Sequence, residues 1–527
     1  MIVVFGIFLA QSIIWASSKS IILAKTTFHN IQNLNGASFQ LASLVSIPDL
    51  RNLLTFSRVE TIENPLLENQ EAIYSALNPG SNDPERNEIF LNPARRVFED
   101  FPENGPDYIN QHQISEDLTI PDDGKVIVAN LETMSLYLYK DGEKIQEFEI
   151  LSKGRPGTPW ETPPGMFEIR YKTENHFSSI GEVWLPYSMQ FFGNYFIHGW
   201  PHHSDGTPVP RGYSGGCIRL ADEDARAIYQ FAELGTKVLV LGTTKETISE
   251  NQSGYYKVEN LNLYPSITSR SYIVADLESG DILFSKDAQT PYAIASITKL
   301  MTALVSLETI NQYLYTTVSQ TAYNTHGWRG NFYVGERILT GDLIFPLILQ
   351  SSNKAGEVLA EFAGRDNFIR NMNIRAKSLG LENTTFADAS GLSPYNISTA
   401  YDLLRFSDYV YRYKRYIFDV SNMRTYVNEK HEWPNTHRLT GESFFLGGKN
   451  GFTDAARHTL ISLVELPVRT ILHDNEIIKD FDSENQEPEY TNRKFAIILL
   501  QAERTEEDTR KFIDYIKSSV KYVRVND

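Results

Sequence analysis

The apolar and polar positions of this chain change rhythm three times. From Lys125 the stretch "KVIVANLETMSLYLYKDGEKIQEFEIL" alternates apolar and polar residues, with Asp141-Gly142 between two runs, and predicts a hairpin of short strands. "TPPGMFEIRYK" continues that alternation with Pro and Gly punctuation, so residues 124–244 are expected to form an all-β domain. After the polar break "ENQSGYY", the segment "SYIVADLESGDILFSKD" reads as strand, tight turn at Ser279-Gly280 and strand. It runs into "SITKLMTALVSLETI", where Leu300, Ala303, Leu304 and Leu307 are spaced as one helical face. Helical patterns follow in "NKAGEVLAEFA" and "FIRNMNIRAKSLG", then strand patterns in "HTLISLVE" and "KFAIILLQA". Strands at both ends with helices between predict an α+β domain over residues 255–527.

Before Gly124 the picture is different. Residues 1–24 open with an apolar run, Ile2 to Ala16, and Ala16 and Ser18 are spaced to frame a cleavage site. The run is short for a membrane span, which needs roughly 20 apolar residues. No Lys or Arg precedes it, so a buried first helix or strand is the alternative to a signal peptide or membrane anchor. Residues 25–123 carry "NPGSNDPERNE" and "EDFPENGPD", which read as linker.

Composition narrows the function classes. With 41% hydrophobic and 22% charged residues the chain is globular in type, and its 527 residues call for more than one core. A formal net charge of −17 argues against nucleic acid or an anionic membrane surface as a partner, leaving membrane contact to the possible N-terminal anchor. The single cysteine, Cys217, excludes an internal disulfide and thiolate metal clusters, and no zinc spacing or phosphate-cradling glycine loop is present. No cofactor or metal is expected.

That cysteine lies in "YSGGCIRL". Gly215 and Gly216 let backbone N–H groups converge beside Cys217, where they could stabilise an oxyanion. Upstream, His198 ends the apolar run Tyr195 to Ile197 and could serve as base or ion-pair partner of the thiol. An inert buried thiol is the plainer alternative. His202 and His203 invite a metal reading, but no third ligand is evident, and loop histidines beside an acceptor groove fit better. "IHGW…YSGGCIRL", together with "SKGRPGTPWETPPGMFEI", resembles the signature of the L,D-transpeptidases. The resemblance implies that Cys217 is the nucleophile and His198 the base, that Ser214 and Gly216 shape the site, and that Arg219 supports it. Gly215 stands where many members have histidine, so a second imidazole at the oxyanion site is absent.

A second constellation follows. Ser-x-x-Lys occurs at Ser296, Ser351 and Ser518, and only Ser296 falls at the first turn of an apolar helix behind a strand pair. There Lys299 could take the serine proton if a desolvated, cationic setting lowers its pKa. "QSSNKA" adds Ser351 and Asn353 as Ser-x-Asn, and "GGKNGFTDAA" adds Lys449. These, with "MNIRAKSLGLENTTFADASGL", resemble the D-alanyl-D-alanine carboxypeptidases among the low-molecular-mass penicillin-binding proteins, and imply a penicillin-binding/serine β-lactamase-like fold. The resemblance implies Ser296 as acylated nucleophile, Lys299 as base, Ser351 and Asn353 as proton relay and amide holder, and Lys449 with Asn450 and Gly451 as the carboxylate-binding strand. Asn450 replaces the usual threonine. It can still donate a hydrogen bond, but it is bulkier. A deacylating glutamate motif of the β-lactamase kind has no good candidate.

Together these resemblances imply a bifunctional peptidoglycan-remodelling enzyme outside the cytoplasmic membrane. It would trim pentapeptide stems at Ser296 and cross-link tetrapeptide stems at Cys217, with stem peptides as substrates and β-lactams as covalent inhibitors. The alternatives are an L,D-transpeptidase whose second domain only holds substrate, a non-catalytic wall-binding protein, and a cysteine site that uses water as acceptor.

Overall fold

In this computed structural model the described residues are 123–242, 254–258, 264–474, 477–479 and 488–525, and all fall within one compact unit. The expected leader, residues 1–24, and nearly all of the stretch 25–123 lie outside them.

Around Cys217 two sheets pack together. The five-stranded one is ordered β3-β2-β1-β9-β4, from β1 (Lys125–Asn130), β2 (Ser135–Lys140), β3 (Glu143–Glu149), β4 (Gly165–Glu168) and β9 (Lys237–Leu241). The four-stranded one is ordered β5-β6-β7-β8, from β5 (Tyr171–Ser178), β6 (Val183–Phe192), β7 (Tyr195–His198) and β8 (Ile218–Arg219). The expected hairpin turn is present, with Asp141 at φ 50° and Gly142 at φ 79°, both in the left-handed region that a two-residue turn between twisted strands requires. Alternation sends Ile127, Ala129, Leu136 and Leu138 into the shared core, while Val126 and Val128 meet Leu239 on the opposite face.

The expectation of an all-β domain needs correction. One helix, α1 (Asp222–Phe231), lies between β8 and β9 and buries Ala225 and Ile228. Three acidic residues in its first turn, Asp222, Glu223 and Asp224, suit the positive end of the helix dipole. The domain therefore mixes sheet and helix.

The second region is built on an eight-stranded sheet. Its main path is β10 (Gly254–Val258), β16 (Val520–Val525), β14 (Arg457–Asp474), β15 (Tyr490–Ala502), β11 (Ser271–Asp276) and β12 (Ile282–Lys286). β13 (Phe445–Thr453) pairs with β14. The continuous apolar run in β15 is explained by burial on both faces. Ala496, Ile498 and Leu500 meet the helical layer, while Phe495, Ile497 and Leu499 meet α6 (Thr505–Ser519).

The helical layer contains α2 (Thr298–Thr309), α3 (Asn353–Phe362), α4 (Arg365–Ser378) and α5 (Ala400–Tyr413). All of α2 is buried, not only the face read from its leucines. A helix enclosed on every side can hold a charged residue only if that residue is partnered, and α2 holds two, Lys299 and Glu308.

Candidate active sites

Ser296 lies in a short 3-10 turn, Ala295–Ile297, that leads into α2. The turn is tight: Ala295 has φ 48°, and a side chain on Gly391 would overlap the Ala295 carbonyl. One turn on, Lys299 Nζ lies 2.9 Å from Ser296 Oγ and donates to Asn353 Oδ1 at 2.7 Å and to the Ser390 carbonyl. Asn353 Nδ2 donates in turn to the His326 carbonyl at 2.7 Å, which fixes the orientation of the amide.

Burial pulls the Lys299 pKa down to about 7; the Asp388 carboxylate opposes that fall and the Arg329 guanidinium adds to it. A neutral amine has two N–H bonds and one lone pair. With the two N–H bonds directed at Asn353 and Ser390, the lone pair is left for the Ser296 hydroxyl proton.

β13 runs past the serine, so close that a side chain at Gly451 would meet Ser296 N at 2.6 Å. Lys449 on that strand is buried, and its Nζ donates to the Asn450 carbonyl at 2.7 Å. Its pKa is pushed well down, first by burial and then by Lys299 and Arg329. Asn450 alternates outward and is exposed. Ser351 has φ 56° and precedes Ser352, whose hydroxyl caps α3 by accepting from Ala355 N. No hydrogen bond joins Ser351 to Lys299 or Ser296 among the described residues. Ser296, Lys299, Asn353 and Lys449 are therefore gathered into one site, and Ser351 lies two residues before Asn353.

Reading the sequence missed two contributors. Asp388 accepts from the backbone N–H groups of Ser390 at 2.8 Å, and of Gly391 and Ser393, holding the loop whose Ser390 carbonyl receives Lys299. Arg329 donates to the Gln350 carbonyl and to Thr436 Oγ1, both at 2.9 Å, and brings a third cation to the cleft. Asp388 stands in the quoted "FADASGL", whose pattern matched without showing a role.

The second site rests on β7 and β8, which run parallel with Ile197 opposite Ile218 and His198 opposite Arg219. Paired residues in a sheet share a face, so His198 lies on the same side as Arg219 and as Cys217, two residues before it. His198 Nδ1 is 2.6 Å from the Gly199 carbonyl. A carbonyl only accepts, so Nδ1 carries the proton and Nε2 keeps the lone pair. Burial, with Arg219 and His176 nearby, lowers the His198 pKa to about 3. Burial likewise pushes the Cys217 thiol up to about 11, against opposing pulls from the Phe196 backbone and Arg219. The resting pair is thus thiol and neutral imidazole.

Cys217 Sγ contacts the Asn194 carbonyl at 3.6 Å. Ser214 Oγ donates to the Cys217 carbonyl at 2.6 Å and accepts from Gly216 N at 3.0 Å, pinning the loop. Gly216, at φ 111°, packs against the Tyr195 ring so tightly that any side chain would overlap it. Gly215 faces open space. Arg219 places its guanidinium 5.6 Å from the Trp200 ring, and its buried Nε has no hydrogen-bond partner among the described residues. Thr162 was not foreseen: its hydroxyl donates to the Gly216 carbonyl at 2.8 Å and accepts from Gly154 N at 2.9 Å. His202 Nδ1 lies 2.9 Å from the His203 carbonyl, and no metal-binding cluster occurs among the described residues.

The chain thus holds two candidate sites, Ser296 in contact with the buried amine of Lys299, and Cys217 beside the parallel strands that carry the buried imidazole of His198. Comparison with known proteins agrees. The family model described as D-alanyl-D-alanine carboxypeptidase matches residues 258–468, and that described as L,D-transpeptidase catalytic domain matches residues 124–240. The D-alanyl-D-alanine endopeptidase of Escherichia coli K12 is 32% identical over 40% of this chain and 70% of its own length. That of Pseudomonas aeruginosa is 30% identical over 38% of this chain and 68% of its own. A crystal structure of D-alanyl-D-alanine carboxypeptidase from Mycobacterium tuberculosis H37Rv aligns with 48% of this chain and 92% of its own at 22% identity and TM-score 0.40. The chain belongs to the D-alanyl-D-alanine carboxypeptidase family and carries an L,D-transpeptidase domain ahead of the family domain.

Proposed function

We propose that this protein remodels peptidoglycan outside the cytoplasmic membrane through two acyl-enzymes, one in residues 124–244 and one in residues 255–527. The observation that carries the reading is the contact of Lys299 Nζ with Ser296 Oγ at 2.9 Å in a site that keeps the amine near neutrality. Ser296 Oγ attacks the carbonyl of the penultimate D-Ala of a pentapeptide stem, and its proton passes to Lys299. The terminal D-Ala leaves as an amine with that proton, and water hydrolyses the ester to a tetrapeptide. Arg329 supplies positive charge for the terminal carboxylate and Lys449 supplies N–H donors, with Asn450 exposed beside them. At Cys217 the tetrapeptide's terminal D-Ala is displaced as the thioester forms, with the thiol proton taken up by His198 Nε2. An acceptor amine then attacks the thioester, giving a new amide and restoring the thiol. β-Lactams would acylate the serine as substrate mimics.

A second reading of the serine site is favoured by the relatives named as D-alanyl-D-alanine endopeptidases. The same acyl-enzyme would then be formed by cutting a cross-link instead of releasing D-Ala. The deciding experiment offers a disaccharide-pentapeptide, a supplied tetrapeptide and a cross-linked dimer to wild type, Ser296→Ala and Cys217→Ala, with products followed by mass spectrometry. Tetrapeptide lost only with Ser296→Ala, and dimer formation lost only with Cys217→Ala, are the expected results. Untouched pentapeptide with continued cross-linking of tetrapeptide would reduce the second domain to a substrate holder and implicate Asn450.

A further inference from the structure

The backbone that flanks the cysteine site is held partly from outside its own domain. Two segments flank Cys217. The first, Pro159–Thr162, lays the Trp160 carbonyl against Gly154 and Gly216, where a side chain on Gly216 would meet it at 3.0 Å, and it brings Thr162 onto the Gly216 carbonyl. The second, Asn194–Tyr195, supplies the carbonyl facing the thiol and the ring under Gly216.

Both segments are held from the carboxypeptidase-like side. Lys414, just past the end of α5, donates from Nζ to the Pro159 carbonyl at 3.0 Å and the Glu161 carbonyl at 2.7 Å. Asn194 N donates to the Glu308 carbonyl at 3.2 Å, and Gly193 admits no side chain beside that carbonyl. Glu308 is fully buried; its carboxylate accepts from Arg375 Nε at 2.9 Å and Nη2 at 3.1 Å and lies 3.9 Å from Lys414 Nζ. Arg375 Nη1 also donates to the Pro164 carbonyl at 3.2 Å. A buried ammonium stays where its acceptors are, because moving it would leave the charge unpaired in a dry interior. Lys414 therefore fixes two carbonyls on either side of Trp160, and through Trp160 and Thr162 it fixes the backbone just before the nucleophile.

We propose that Lys414 is a positioning residue for the Cys217 site, so that the cysteine chemistry depends on the docked carboxypeptidase-like domain. The proposal rests on the transpeptidase reading for its activity assay, and alkylation of Cys217 gives a readout that does not. In the full-length protein, Lys414→Met, Lys414→Arg and wild type are compared for cysteine-dependent transfer to an acceptor amine, Ser296 acylation by a labelled penicillin, and the pH profile of Cys217 alkylation by iodoacetamide.

Lys414→Met should lower kcat for transfer about 10-fold or more with KM little changed, because displacement of a reacting group is paid in orientation. It should also shift the alkylation profile, leave Ser296 acylation at the wild-type rate, and be largely rescued by Lys414→Arg. Transfer at the wild-type kcat with an unshifted alkylation profile would overturn the proposal. Loss of transfer in step with loss of Ser296 acylation would report general unfolding, and the comparison then passes to Lys414→Gln. If wild type performs no cysteine-dependent transfer, the transpeptidase reading fails, and the alkylation profiles of the variants still decide the positioning role. Should Lys414→Met not fold, Lys414→Gln, which keeps N–H donors but no charge, carries the same comparison.

Discussion

The pKa of Lys299 is the most exposed claim about the serine site. Moving the amine from 10.5 to about 7 corresponds to ~5 kcal/mol of differential stabilisation of the neutral form, at about 1.4 kcal/mol per unit. At pH 7.4 roughly 70% of such an amine is neutral, against roughly 0.1% of an unperturbed lysine, a difference of about 10³ in available base. The assay is the second-order rate of Ser296 acylation by a fluorescent penicillin at constant ionic strength, from pH 5 to pH 9.5. The rate should climb about tenfold per pH unit on the acid side, pass half-maximum near pH 7 and level off above about pH 8. Arg329→Gln should move the midpoint upward, because the guanidinium helps to hold the amine neutral. Lys299→Ala should remove the pH-dependent phase. A profile flat between pH 5.5 and 8.5, or a midpoint above pH 9, would refute the argument that the desolvated lysine is the base.

Four further outcomes follow from the two sites. Alkylation of Cys217 should stay slow through neutrality and accelerate only above about pH 9, since burial pushes the thiol up to about 11. His198→Ala should abolish transfer while leaving that alkylation profile in place, because no ion pair lowers the thiol pKa; a thiol that titrates near pH 5 in wild type contradicts the neutral pair. Gly216→Ala forces a side chain into the Tyr195 ring and should reduce cysteine-dependent transfer by about 10-fold or more without changing penicillin acylation at Ser296. Asn450→Thr should raise kcat/KM for D-Ala release from pentapeptide, read by amino-acid analysis of the product, and an unchanged value would clear Asn450 of any handicap.

What could be read in advance was what depends on short-range pattern. The Asp141-Gly142 hairpin, the strand alternation and the helix after Ser296 each arise within a window of residues that constrain one another, and the structure reproduces all three. Ser-x-x-Lys was legible for the same reason, since one helical turn brings the third residue onto the nucleophile. The helix α1 was hidden because Ala225 and Ile228 supply only a weak apolar face in a stretch rich in charge. Lys449 was placed by motif, but its burial followed from β13 lying against the serine turn, which no local pattern states.

The charged residues at the domain junction show why the remainder was out of reach. Glu308, Arg375 and Lys414 stand on or beside three helices, separated by long stretches of chain, and in isolation each is the sort of residue that faces water. Their burial is a property of the junction, because each satisfies groups that another element brings: the Glu308 carboxylate meets Arg375, and Lys414 meets the carbonyls of Pro159 and Glu161. An apolar junction of equal area could have been at least as stable, since desolvating an ion pair offsets much of its Coulomb energy. What directed hydrogen bonds add is a fixed register. Lys414 donates to the Pro159 and Glu161 carbonyls together, and Glu308 O accepts from Asn194 N. Because Ser296 stands in the turn that leads into α2, with Lys299 at the start of that helix and Glu308 near its end, a single buried helix sets the lysine against its serine and the junction against the cysteine loop. The two candidate sites are thereby tied to one buried helix.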